Sequence, residues 1–228
     1  MKKFWNWLRD EATGERILRL DGVISDSTWL GDEVTPQNFR DELNAGKDDV
    51  TVWLNSEGGD VFAAVEIYNM LKEYRGHVTI KISALAASAA SVVAMAGDEV
   101  QISVAGMMMI HNPWTLAQGD SAEMQSAAKM LDAVKESIIN AYQRKTRLSR
   151  EKISAMMTAE TWLHAGKAVE LGFADKIIGD TDKTPLTATA GISSRQQIMN
   201  SLTTALKSTF TVAAEKIGNA DQLRRRLF

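Results

Sequence analysis

Short apolar runs alternate along the chain with stretches of helical spacing. Arg16 to Ile24 (RILRLDGVI) reads as a strand leading into a turn, and Pro36 to Leu43 as a short helix capped by Thr35, with Pro36 at its first position. Val50 to Leu54 (VTVWL) is a β-branched strand, and Gly58-Gly59 then breaks the chain. Val61, Ala64, Val65, Tyr68 and Leu71 recur at helical spacing, which predicts a helix from Val61 to Tyr74. His77 to Ser83 alternates as a strand, Ala86 to Ala96 is a small-residue helix, and Val100 to Val104 and Met107 to Ile110 are short strands. Ser121 to Arg147 is a long amphipathic helix with Met124, Ala127, Ala128, Leu131, Val134, Ile138 and Tyr142 on one face. Ser149 caps a helix over Arg150 to Thr158. Ala165 to Leu171 is a further helix stopped by Gly172, and Ala174 to Ile178 is a last strand. Strand and helix alternate, so the fold class is α/β.

At Gly179 the pattern changes. Asp180 to Ser194 is rich in Thr, Ser, Asp, Lys and Gly and reads as a polar linker. Beyond it Ile198, Leu202, Leu206, Phe210, Ala213 and Ile217 form a second apolar stripe, and Arg224-Arg225-Arg226 follows. The expected organisation is a domain over 1–179, a linker over 180–194, and an amphipathic helix with a basic end over 195–228.

Composition narrows the function classes. The chain has 228 residues, 45% of them hydrophobic and 24% charged, enough apolar material for a core. Twenty-six basic residues stand against 29 acidic ones, a net charge of -3, which argues against a nucleic-acid partner. There is no cysteine, which removes thiolate metal sites, thiol catalysis and disulfides and fits a reducing cytoplasm. Met1 to Asp10 carries two lysines before Phe4 and Trp5, but its apolar run is too short for a signal peptide and charge returns at Arg9. No stretch approaches the ~20 apolar residues of a membrane span. The histidines and carboxylates show no metal-ligand spacing, and no Walker A or dinucleotide fingerprint occurs, so no metal, cofactor or intrinsic ATPase is expected.

Three segments carry candidate chemistry. Leu54-Asn55-Ser56-Glu57-Gly58-Gly59-Asp60 follows a strand and opens a helix, and its glycines let backbone N–H groups turn towards a bound oxygen. Ala84 to Ser91 does the same with tiny residues, placing Ser88 at a helix N-terminus that favours developing negative charge. Met108-Met109-Ile110-His111-Asn112-Pro113 puts a histidine at the end of an apolar strand, before a proline turn. A serine oxygen needs a base within hydrogen-bond reach, and that base needs a carboxylate to fix its tautomer. Only His77, His111 and His164 are available.

In order and spacing, Asn55-Ser56-Glu57-Gly58-Gly59, Ala86-Ala87-Ser88-Ala89, Met109-Ile110-His111-Asn112-Pro113 and Thr161-Trp162-Leu163-His164-Ala165, followed by Ala168 to Asp175, resemble ClpP-type serine peptidases. The resemblance covers roughly residues 16–179. Ala87-Ser88-Ala89-Ala90-Ser91 and Glu160-Thr161-Trp162 look most like the ClpP-like head maturation peptidases of tailed bacteriophages and prophages. The resemblance implies a ClpP/crotonase-type fold of stacked ββα units, with Ser88 as nucleophile, His111 as general base, Glu160 as the acidic third member, and the N–H groups of Gly59 and Ala89 as the oxyanion hole. It further implies an ATP-independent serine endopeptidase acting on protein or peptide. Its setting would be the bacterial host cytoplasm, in capsid and scaffold processing. The chain would form a homo-oligomeric ring through a handle helix over 121–147, and capsid or portal proteins are candidate partners. Two departures bear on this. The family often has glycine where this chain has Ala84 and Ala90, which is tolerable only if neither needs a positive φ. Its proline after Asn-Ser is Glu57 here, which predicts a looser oxyanion loop.

Competing assignments remain open at this level. Ser91 is a rival nucleophile that reads as structural, one turn deeper than Ser88. His164 stands four residues from Glu160 and pairs with it if that segment is helical, while His77 reads as solvated. Asp98, Glu99 and Asp175 are alternative acids. Met107-Met108-Met109 reads as core packing or cleft lining. Two other function classes compete: a crotonase-type acyl-CoA enzyme, and a non-catalytic assembly factor. The tail either binds a capsid or portal partner or is removed by self-cleavage.

Overall fold

The computed structural model describes residues 5–9, 16–26 and 36–179, all within the compact unit Met1–Lys183. The Thr35 cap, the 180–194 linker and the 195–228 tail with its apolar stripe and arginines lie outside the described residues, as does a second unit, Thr184–Phe228.

The core of the fold is a mixed sheet. Strands β1 (Trp5–Arg9), β2 (Arg16–Ile24), β3 (Val50–Gly59), β4 (Val78–Ala87), β5 (Glu99–Ser103) and β8 (Lys176–Ile178) lie in that spatial order, and β6 (Met107–Ile110) pairs with β4 and with β7 (Thr161–His164). The β1–β2 and β6–β7 pairs are antiparallel and the others parallel. Helices α1 (Pro36–Asn44), α2 (Val61–Glu73), α3 (Ala89–Ala94), α4 (Ser121–Thr146), α5 (Arg150–Thr158) and α6 (Ala165–Glu170) complete the α/β fold. Alternate residues of the central strands, Val52 and Leu54, Ile80 and Ile82, Val100 and Ile102, are fully buried. Burying each such side chain is worth about 1.5–3 kcal/mol. They share one cluster with Ala64, Ile67 and Leu71 of α2, Val92 and Val93 of α3, and Ile138, Ile139 and Tyr142 of α4.

Local chemistry sets the helix boundaries. Asp60 caps α2 by accepting from the Ala63 N–H at 2.7 Å. Asp120 and Glu123 form a reciprocal capping box at the start of α4, and the Ser149 side chain caps α5. Every residue of α3 is buried, and its alanines, serine and valines allow neighbouring elements to approach closely.

Five elements depart from the pattern-based expectation. Trp5–Arg9 is a strand because it pairs along its whole length with β2, from Trp5↔Leu20 to Arg9↔Arg16. β3 is not broken at Gly58-Gly59: its ladder with β2 continues through Val23↔Gly58 and Ile24↔Gly59, so the loosened loop expected from Glu57 is a strand. β4 runs to Ala87 rather than Ser83, because Leu85, Ala86 and Ala87 pair with Met107, Met108 and Met109. The small-residue helix therefore starts at Ala89, not Ala86, and ends at Ala94. Thr161–His164 is a strand on β6, so Glu160 and His164 do not share a helical face. In each case partner strands override weak local propensity.

The long helix α4 spans 26 residues, about 39 Å at 1.5 Å per residue. Its C-terminal half is anchored by buried Ile138, Ile139, Ala141 and Tyr142, while Met124 and Met130 in the N-terminal half are 38% and 40% exposed. Among the described residues, no helix is long and apolar enough to cross a membrane.

Candidate active site

Strand register alone gathers the site. β4 ends at Ala87 opposite Met109 of β6, so the residues just past both ends, Ser88 and His111, emerge at the same edge. β6 and β7 are antiparallel with Ile110 opposite Thr161, so one further step sets His111 against Glu160. On the other side of β4, Ser56 of β3 pairs with Ala86, which carries Gly58 alongside Ser88.

Side-chain geometry completes the arrangement. Ser88 Oγ lies 2.7 Å from His111 Nε2. With the imidazole neutral and its proton on Nδ1, Ser88 donates this hydrogen bond and Nε2 accepts it. Burial holds the His111 pKa below the ordinary histidine value, and the Glu160 charge pulls it partly back up. Neutral imidazole, the form that can take a proton, is thus favoured at neutral pH. Glu160 makes its hydrogen bond elsewhere: Trp162 Nε1 donates to Glu160 Oε1 at 3.2 Å. Its influence on His111 is that of a nearby charge.

Ser88 occupies an unusual backbone conformation, φ 53° and ψ −126°, between β4 and α3. A non-glycine residue held there costs about 1–3 kcal/mol and persists only where its surroundings fix it. Two backbone bonds do so: Ser88 N–H donates to Met109 O at 2.9 Å, and Ser91 N–H donates to Ser88 O at 3.0 Å. Gly58 is the third constraint. A Cβ there would lie 2.7 Å from Ala87 O and 2.8 Å from Ser88 Cβ, and its φ is +102°. Gly59, at φ +143°, has no room either, since a Cβ would meet Ile24 O at 2.0 Å. Ser56 Oγ accepts from Gly58 N–H at 3.1 Å and donates to Gly22 O at 2.5 Å, fixing the double-glycine end of β3. Ala84 and Ala90 are absent from the positive-φ residues, so alanine is compatible with both positions.

The rival residues have other work. Ser91 is fully buried and donates to Ser88 O at 2.5 Å. His164 caps α6, accepting from Lys167 N–H. His77 is half exposed and lies 3.8 Å from Asp98. Asp98 accepts from Lys72 Nζ and Val78 N–H, Glu99 pairs with Lys176, and Asp175 accepts from Lys145 Nζ and Val100 N–H. Met108 and Met109 are both buried, and Met108 packs in the core cluster. Among the described residues, no three His, Asp or Glu side chains are grouped to hold a metal ion.

Sequence reading overlooked several supporting residues. Gly58, and not Gly59, makes the close approach to the serine. Trp162 donates to Glu160, and Tyr142 bonds to Ser91. The glycine doublet was a signal for the first. Pairings between residues 51 positions apart leave no trace in local pattern.

Comparison with known proteins fits this geometry. The family described as Clp protease matches residues 3–181. The chain belongs to the Clp protease family. Family membership makes it a ClpP-type serine endopeptidase. Among curated Clp relatives, the ATP-dependent Clp protease proteolytic subunit of Bacteroides fragilis strain ATCC 25285 is 28% identical over 142 residues, covering 61% of this chain and 68% of that protein. The same subunit of Borrelia garinii subsp. bavariensis is 28% identical over 166 residues, covering 72% and 84%. Several other Clp relatives are matched over 64% of their length, slightly under two thirds. A ClpP1 mutant from Listeria monocytogenes superposes with a TM-score of 0.62 at 24% identity, over 73% of this chain and 92% of that one, a likeness of fold.

Proposed function

We propose that this Clp-family chain hydrolyses peptide bonds through an acyl-enzyme on Ser88, with His111 as base and acid and Glu160 as the charge that steadies the imidazolium. The observation that carries this reading is the 2.7 Å contact between Ser88 Oγ and His111 Nε2. As Ser88 Oγ attacks the carbonyl carbon, its proton passes to Nε2 and the carbonyl oxygen gains negative charge. The N–H groups of Gly59 and Ala89 are the proposed donors to that oxygen, supported by Gly58 lying against Ser88 at the end of β3 and by Ala89 opening α3. Such preorganised donors are typically worth about 2.7–4 kcal/mol each in the transition state. Nε2 then gives its proton to the leaving amine, leaving an ester on Ser88. Water, deprotonated by His111, attacks that ester and restores the free serine. No step consumes nucleotide, so the hydrolysis itself is ATP-independent.

An acyl-CoA enzyme of the crotonase type has no need of a Ser–His pair, and the same contact favours the peptidase over it. A purely structural assembly factor would not need a strained serine aimed at a base.

The proposed substrate is protein. Homo-oligomerisation through the exposed half of α4 is supported by Met124 and Met130 on a helix whose buried residues, among those described, lie in its other half. Processing of capsid and scaffold proteins in phage heads, in the bacterial host cytoplasm, rests on the Ala87 to Ser91 and Glu160 to Trp162 motifs. On that reading capsid or portal proteins are the partners and residues 1–179 the peptidase domain, followed by a linker and a tail. Incubating purified protein and Ser88→Ala with unfolded casein and with co-expressed scaffold protein tests the activity. Cleavage by the parent and none by the variant is expected; equal cleavage by both would overturn the assignment.

A further inference from the structure

The strained turn at Ser88 has a buried support that the mechanism above does not use. Ser91 Oγ donates to Ser88 O at 2.5 Å and lies 2.7 Å from the hydroxyl of Tyr142. A serine hydroxyl has one proton, and here it is committed to Ser88 O. The Tyr142 hydroxyl must therefore donate to Ser91 Oγ. Both residues are essentially fully buried, so a lost partner is not replaced by water. Burial also raises the Tyr142 pKa, which keeps that donor proton in place at any ordinary pH. The tyrosine is itself fixed. Its ring meets Phe173 edge-to-face with centroids 5.7 Å apart, and its carbonyl accepts from Thr146 Oγ1 at 2.8 Å.

We propose that Tyr142 is a positioning residue for the nucleophile, acting through Ser91 to hold the Ser88 carbonyl and hence the angle at which Ser88 Oγ meets His111. The two hydrogen bonds run in one direction, Tyr142 to Ser91 to Ser88, and each polarises the next. Ser88 combines a positive φ with a ψ of −126°, outside both the extended and the helical regions, and three constraints described above act on its N–H, its O and its Cβ. The relay brings to this carbonyl a support from α4, 51 residues along the chain from Ser91. Its hydroxyls add nothing to substrate contact, so their effect falls on the reactive geometry alone.

This inference rests on Ser88 being the nucleophile, and the experiment separates the two. Full-length wild type, Tyr142→Phe, Ser91→Ala and the double variant are reacted with a fluorophosphonate, with adduct formation at Ser88 timed by mass spectrometry. Each is also assayed for kcat and KM on an unfolded casein substrate, across pH and well below its melting temperature. Tyr142→Phe keeps the ring packing and removes only the donor. A fall of about tenfold in labelling rate and kcat is expected, with KM and the acid midpoint unchanged, because a slight misplacement of reacting atoms costs rate rather than binding. The double variant is expected to be no slower than Ser91→Ala, since both break one relay. If Tyr142→Phe folds poorly, Ser91→Ala, which leaves the tyrosine ring in place, carries the same expectation. Wild-type rates in either single variant, or losses that multiply in the double, would overturn the relay. An unlabelled Ser88 in the folded wild type would instead overturn the nucleophile assignment beneath it.

Discussion

Two opposing effects act on the His111 imidazole, and their balance sets its working range. Burial lowers its pKa and the Glu160 charge raises it, with burial the larger. The base therefore stays unprotonated further into acid than an ordinary histidine, whose value is 6.5. The acid limb of kcat/KM against pH is expected to have its midpoint below that value; a midpoint above it would contradict the assignment. Removing the charge in Glu160→Gln takes away the raising influence, so the midpoint should move lower still. The plateau should fall as well, because the imidazolium formed in the transition state loses its counter-charge. Trp162, not His111, holds the Glu160 hydrogen bond, so the loss is expected to be about tenfold, the scale of one pKa unit of interaction. A midpoint that rises in this variant would place another group in control.

Strand ends bring these side chains together, and the double glycine of β3 keeps room for them. At Gly58 an added methyl would meet Ala87 O and Ser88 Cβ, on a backbone at φ +102°. Gly58→Ala is expected to cost about 1–3 kcal/mol of stability from the backbone conformation alone. It should also slow Ser88 labelling at temperatures where the variant is folded. A thermal melt and a labelling rate measured together check this; normal labelling would mean that Gly58 does not constrain the serine. This element also marks where sequence reading stops. Ser88 and His111 stood out as candidates because each follows an apolar strand segment, and Glu160 was a candidate only through the family resemblance. The boundaries around them were not legible. Leu85 to Ala87 and Thr161 to His164 are strands because they pair with β6, and Gly58-Gly59 stays in β3 because β2 lies beside it. Such pairings belong to the tertiary fold and leave alanine and glycine looking like helix and break. Likewise the Ser91 position read as structural from spacing alone, but its partner Tyr142 could be found only in three dimensions.

At the scale of the whole molecule, the sheet is a frame that converts register into chemistry, while the N-terminal half of α4 exposes apolar side chains. Clp-family proteins typically form oligomeric rings that act on protein substrates, and the exposed Met124 and Met130 are the proposed contact. Met130→Glu puts a charge on that exposed half of α4 without touching its buried half. It is expected to lower the assembly mass in analytical ultracentrifugation while leaving the far-UV spectrum unchanged; an unchanged mass would remove α4 from the interface. The central claim, though, concerns two atoms 2.7 Å apart, Ser88 Oγ and His111 Nε2. Fluorophosphonate treatment of the full chain followed by peptide mapping tests it most directly. The account predicts a single adduct on Ser88 that is lost in Ser88→Ala and strongly slowed in His111→Ala. An adduct on Ser91, or one on Ser88 that forms as fast without the imidazole, would contradict it.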